Sequence, residues 1–307
     1  MNRFLLKIFI FSFFPLLTLY GVLLLENGTT DPFYQRFTSP KQSALILGNS
    51  KAAQGIIPAV LDKKLSSEFG TKIYNYSFTV NNSPFGPVYL ESLSKKLDEN
   101  SKLGYFVITV DPWSIASGIQ DPNNPDQFEE NELFLASIKN VNSAPNLNYA
   151  LNWFEMPFFE IIAMRYKNKN SKLHSDGWYE TTGNMETNAV DKRRSFMVNF
   201  YNDFLTKYQY SNERFKYLQK TILYLQTKGQ VFLVRMPLHH DILEIEERLD
   251  PKFGARMDFL SKKFGIPYFD FNVSDSRWEF KDGLHLTVES AKALSEELSQ
   301  KILLSIN

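Results

Sequence analysis

Short apolar runs recur along this chain, and most are followed by a stretch with the spacing of an amphipathic helix. Ser43–Leu47 (SALIL) ends at Gly48 and has the length and uniform apolarity of a strand buried on both faces. Ile57, Val60, Leu61, Leu65 and Phe69 then repeat at helical spacing, which predicts a helix over Ile56–Phe69 that stops at Gly70. Lys72–Phe78 predicts a second strand, Val88–Leu97 a helix, and Tyr105–Val110 (YFVITV) a third strand ended by Asp111-Pro112. Regularity returns with a helix over Asn212–Thr227 and a strand over Val231–Arg235. A largely helical region over Ile242–Phe264, broken near Pro251, precedes a strand at Pro267–Phe271 and a closing helix at Val288–Leu304.

Between these two halves the pattern blurs. Residues from about 111 to 210 are rich in Asn, Pro and aromatics and read as an insertion over the sheet, with helices near Leu133–Ile138 and Phe154–Arg165. Residues 27–42 carry Gly, Thr, Pro and Ser and read as a linker, leaving 43–307 as one domain. Five apolar strands alternating with helices predict an α/β fold: a three-layer α/β/α, flavodoxin-like parallel sheet of about five strands. Such sheets bind ligands at the carboxyl ends of their strands, so chemistry is expected where strands end.

The extreme N-terminus follows another rule. Arg3 and Lys7 precede an uncharged run, Ile8–Leu25, close to the shortest helix that spans a bilayer. It ends in Leu23, Leu24, Leu25 and Glu26, with no small-x-small cleavage site. Residues 1–26 therefore read as an uncleaved membrane anchor. The preceding cations put the N-terminus in the cytoplasm and the main domain outside it, in the periplasm or at the cell surface.

Composition narrows the field by exclusion. Lys plus Arg and Asp plus Glu number 34 each, so no nucleic-acid partner is suggested. The absence of cysteine excludes disulfides, cysteine–zinc sites and a cysteine nucleophile. No Gly-rich phosphate loop is present, so no nucleotide cofactor is expected.

Two motifs fall on the carboxyl edge. Gly48-Asn49-Ser50 follows the first strand and opens a helix, where a hydroxyl is exposed and backbone N–H groups face a developing oxyanion. Taken alone, Ser50 is an ordinary helix N-cap residue. Asp282-Gly283-Leu284-His285 lies between the last strand and the last helix. A serine nucleophile needs a base, and the base needs a carboxylate to orient it; three residues apart on one turn, Asp282 and His285 meet that need.

These two motifs, in this order, resemble the first and last blocks of the SGNH, or GDSL-like, hydrolase superfamily. The resemblance covers residues from about Ser43 onward and rests on short motifs. It implies a Ser50 nucleophile with Asp282 and His285 as its partners. The anchor, the exported domain and the insertion further resemble the envelope-acylation branch, which includes the D-alanyl transfer protein of teichoic-acid modification and SGNH partners of membrane-bound O-acyltransferases. The implied substrate is an acylated glycan or other ester, and the implied partner a multi-span membrane O-acyltransferase. The family's Gly-x-Asn-Asp block is missing. Oxyanion donors are instead sought near Ser77 and at Asn81 or Asn82, which are also ordinary turn formers.

Asp111 and Trp113, after the third strand, are candidate pocket residues, with Trp113 suited to stacking on a sugar. Arg235, after the fourth, suits an anionic substrate group. His239 and His240 are adjacent, and neighbours mostly point apart, so no metal is expected. His174-Ser175-Asp176-Gly177-Trp178 reads as a packed aromatic loop, with a lid as the alternative. Two further readings stand beside an acyl-ester enzyme: a non-catalytic glycan-binding or scaffolding partner of an acyltransferase, and a lipase-type esterase.

Overall fold

Five strands, β1 (Ala44–Leu47), β2 (Ile73–Asn75), β3 (Gly104–Thr109), β4 (Gly229–Arg235) and β5 (Tyr268–Asp270), form one all-parallel sheet. Their order is β2-β1-β3-β4-β5. The structure is a computed structural model and describes residues 2–164, 167, 170–272 and 277–306. Met1, Arg165 and Asn307, each inside an expected element or domain, lie outside the described residues.

The principal helices are α1 (Asn2–Leu24), α2 (Ser50–Gly55), α3 (Pro58–Phe69), α4 (Pro87–Lys96), α5 (Thr187–Leu205), α6 (Asn212–Gln226), α7 (His240–Leu249), α8 (Phe253–Phe264) and α9 (Val288–Ile306). The period of two along β3 divides the core. Phe106 and Ile108 face α4, α6 and α8 through Leu93, Ile222 and Met257. Tyr105 and Val107 face α2, α3 and α9 through Ala52, Leu61 and Leu298. A smaller apolar cluster joins α5 and α7 through Tyr201, Ile242 and Ile245.

Several expectations are corrected. The helix expected over Ile56–Phe69 is α3, which starts at Pro58, whose fixed φ suits a first helical turn, and the short α2 over Ser50–Gly55 precedes it. In place of the helix expected over Phe154–Arg165 there is one turn, Glu160–Ala163. The 19-residue α5 went unread because Tyr201 is its one fully buried side chain, so its helical periodicity is faint.

The segment expected as a linker is packed. Phe37 is buried, and Asp31 takes the N–H groups of Phe33 and Tyr34 at 2.7 Å each. The buried Arg36 guanidinium donates to the carbonyls of Pro32, Asn75 and Gly177. It thereby ties this segment to the end of β2 and to the insertion. Turn-forming residues mark changes of direction as readily as disorder, and only the side chains between them decide.

α1 is long and apolar enough to span a membrane. Its far end is part of the fold: Leu23 is 1% exposed and belongs to the first core, with Leu19 and Val22 packed against it.

Leu298, at the centre of the α9 face, is fully buried. Leu298→Ala is expected to destabilise the domain by about 2–5 kcal/mol, read as a lowered urea midpoint.

Candidate active site

The turn before Ser50 is held from several sides. Gly48 has φ +147°, and a Cβ there would lie 1.8 Å from Thr109 Oγ1, so a side chain would collide with β3. The Gly48 N–H donates to Tyr89 Oη at 3.0 Å. Its carbonyl accepts from the Phe78 N–H at 3.1 Å and from Ser83 Oγ at 2.7 Å. Asn49 then caps α2, its Oδ1 accepting the Lys51 N–H at 3.1 Å. Ser50 follows as the first helical residue, and among the described residues its N–H has no acceptor.

The loop before α9 brings in His285. It is shaped by a bridge between Phe280 and Leu286, and Gly283 adopts φ +84° at its bend. Asp282 Oδ1 accepts the N–H groups of Leu284 and His285 at 2.9 and 2.7 Å. Asp282 Oδ2 lies 2.7 Å from His285 Nδ1, and His285 Nε2 lies 2.9 Å from Ser50 Oγ. Residues 235 positions apart in sequence thus share one hydrogen-bond chain. With the imidazole proton on Nδ1 and donated to Asp282, Nε2 accepts from the Ser50 hydroxyl. Burial works against the Asp282 carboxylate. The adjacent His285 and the two backbone N–H groups outweigh it and hold the pKa down at about 2.

Behind Ser50 lies a buried network of charges. Lys51 Nζ sits 2.8 Å from Asp111 Oδ2 and 2.6 Å from Glu246 Oε1, with all three side chains at most 5% exposed. Burial favours neutral Lys51, but the two carboxylates prevail and raise its pKa. Asp111 Oδ2 also accepts Asn49 Nδ2 at 2.6 Å, which joins the network to the residue before Ser50. Arg235 extends it, 3.4 Å from Glu246 and 3.7 Å from Asp270.

The structure thus places several sequence candidates in the protein's own framework. Asp111 pairs with Lys51 and caps the turn Pro112–Ile115. Arg235 serves Glu246 and Asp270 instead of standing free for an anionic group. Trp113 is 3% exposed and packs on Tyr201 at 4.9 Å, so it offers no open face to a sugar. Ser77 is buried, and its N–H donates to Asn75 Oδ1. Asn82 Nδ2 donates to Thr79 Oγ1 at 2.7 Å. Asn81 is exposed, in the turn pinned between Phe78 and Ser83 on the Gly48 carbonyl.

His239 and His240 do not diverge as adjacency suggests. Their rings lie 4.1 Å apart, and their ligand atoms and those of Asp241 fall within 4.8 Å of one another. Arg194 stands 3.3 Å from His239 Nε2 and 3.2 Å from Asp241, so the cluster already holds a fixed positive charge. The His174–Trp178 loop is packed, with its two rings stacked at 4.7 Å.

Sequence reasoning missed Lys51 and Glu246. Glu246 had a signal: with Ile242, Ile245 and Leu249 it falls on the apolar stripe of α7, where an acidic residue needs a partner. It also missed a clamp built with the insertion. Lys281 Nζ donates to Gln54 Oε1 at 2.8 Å and to the carbonyl and hydroxyl of Thr181. Trp178 Nε1 donates to the Gln54 carbonyl. One contact set therefore ties α2, the insertion and the Asp282 loop together. Burial lowers the Lys281 pKa to about 8.

The sequence matches no protein-family model and no curated protein. Remote likenesses exist among solved structures. A carbohydrate acetylesterase from Sinorhizobium meliloti has 10% identity and a TM-score of 0.40 over 86% of this chain and 99% of that one. An aryl esterase from M. smegmatis has 13% identity and a TM-score of 0.36 over 86% and 99%. A family two carbohydrate esterase from Clostridium thermocellum has 8% identity and a TM-score of 0.38 over 86% and 64%. At such values the functional reading rests on the site itself.

Two outcomes are expected. Lys51→Met strands two buried carboxylates and is expected to cost about 3–5 kcal/mol in urea unfolding. Asp282 falls from 3.8 to about 2 on folding, which at 1.36 kcal/mol per unit is worth about 2 kcal/mol. A depressed carboxylate stabilises the fold above its unfolded pKa, so this contribution is full above about pH 4 and fades towards pH 2. The stability difference between the native chain and Asp282→Asn is expected to shrink over that window.

Proposed function

We propose that this chain is an SGNH-type serine ester hydrolase or O-acyltransferase that acts outside the cytoplasm on acyl groups of a cell-envelope polysaccharide. The observation that carries the reading is the unbroken chain from Asp282 through His285 to Ser50 at the carboxyl edge of the sheet. Ser50 Oγ attacks the acyl carbonyl while His285 Nε2 takes its proton. Asp282 holds the imidazole in the required tautomer and stabilises the imidazolium. The tetrahedral oxyanion faces the unpaired Ser50 N–H. Collapse releases the alcohol, which takes the proton back from His285 and leaves an acyl-serine. Water regenerates Ser50 in the hydrolase reading, and a sugar hydroxyl does so in the transferase reading.

Of the donors sought beside Ser50, the Ser77 N–H and an Asn82 amide proton are engaged elsewhere, and loss of an oxyanion donor lowers turnover by about 100–1,000-fold. A hole with fewer donors would suit a reaction completed with a partner, for which a multi-span membrane O-acyltransferase is the proposed class. Membrane attachment is supported by the exposed apolar length of α1 and by Leu23 in the core, since cleavage before Glu26 would remove a core residue.

The test is labelling of the full chain with a fluorophosphonate, beside Ser50→Ala and His285→Ala, with the modified peptide mapped by mass spectrometry. Label at Ser50 that is lost in both variants supports the reading. Folded protein that takes no label points to the non-catalytic, glycan-binding alternative. Asp282→Asn is expected to keep the geometry and lower p-nitrophenyl acetate turnover by about 10⁴-fold through the wrong histidine tautomer.

A further inference from the structure

The apolar surface of α1 continues beyond the helix. Where α1 meets the domain, an open cleft of about 580 Å³ runs between the helix from Phe11 to Val22 and a turn of the insertion bearing Phe158, Phe159 and Ile162. Its one polar lining residue, Thr18, donates its hydroxyl to the Phe14 carbonyl of its own helix at 2.9 Å. The turn is rooted: Ile161 is 1% exposed and Phe158 packs on the first core. Phe159 and Ile162 face outward, 65% and 44% exposed. Glu160, the carboxylate of the same turn, lies mostly inside and pairs with Lys167 at 3.7 Å. A rooted turn that shows an aromatic and a branched aliphatic side chain while holding its charge inward is built for an apolar surrounding.

We propose that this turn enters the outer surface of the bilayer beside α1, with Phe159 and Ile162 among the acyl chains, so that the membrane holds the domain at two places. The inference rests on the reading of α1 as a membrane anchor. What favours lipid over a protein partner is continuity. One wall of the cleft is α1 itself, and its other faces, including Phe4, Phe9 and Phe13, are also exposed. Whatever solvates those faces fills the cleft they border. Tyr20, 43% exposed near the domain end of α1, adds an amphipathic ring of the kind that settles at headgroup level.

The chain has no cysteine, so single probes can be placed without removing any residue. Phe159→Cys, Phe14→Cys and Leu304→Cys full-length proteins would carry an environment-sensitive fluorophore in vesicles of phosphatidylethanolamine and phosphatidylglycerol. A share of the lipid would bear a nitroxide, either near the headgroup or deep in the chain. Leu304, 80% exposed on α9, reports the remote surface. The expected result is loss of most Phe159 fluorescence to the shallow nitroxide, loss at Phe14 to the deep one, and none at Leu304. A Phe159 probe quenched no more than Leu304 overturns the inference while the anchor stands, whether that probe is wet or shielded by protein. A Phe14 probe untouched by either nitroxide defeats the anchor reading itself.

Discussion

An ammonium group sealed between two carboxylates is the constraint on which the rest of the site depends. Without Lys51 the buried Asp111 would keep only neutral donors and the buried Glu246 only the longer contact with Arg235, which costs stability. Because Lys51 adjoins Ser50, the network fixes the first turn of α2. Because Asp111 follows β3 and also grips Asn49, it fixes the turn before Ser50. Because Glu246 belongs to α7, a helix far along the chain is bound to the same point. Well-packed apolar residues would give as much stability; paired charges give in addition a preference for one arrangement of three elements.

The hydrogen-bond chain at the sheet edge uses that rigidity. His285 can accept from Ser50 only while two loops from opposite ends of the sequence keep their spacing. One is locked by Gly48, whose peptide group is bound at both ends, and the other by Asp282, which holds its own loop through two backbone N–H groups. The insertion adds the Lys281–Gln54–Thr181 clamp, so the longest irregular stretch of the chain also steadies the site.

Much of this was legible in advance. The sheet was readable because β1, β3 and β4 are buried on both faces, and burial on both faces writes itself as an unbroken apolar run. Ser50, Asp282 and His285 were readable because strand ends are where such sheets meet ligands. Local patterns say nothing about which polar residue meets which. Asp111, Trp113 and Arg235 stand at strand ends as expected, yet their partners are Lys51 and Tyr201, both distant in sequence, and Glu246 on the following helix. The helix α5 was hidden for a related reason: a helix that buries little carries little periodic signal. The segment 27–42 misled because its turn residues conceal Arg36 and Phe37.

That packed segment would change how an enzyme of the proposed kind searches for substrate. A domain on a slack tether sweeps a volume set by the tether's length, and its effective concentration falls as the tether grows. Here Leu23, Asp31 and Arg36 leave no slack between α1 and the sheet. With α1 in a bilayer, Ser50 would travel at one height, and encounter would become a problem in two dimensions. Polymer chains passing through that plane would be within range, and ones lying above it would not.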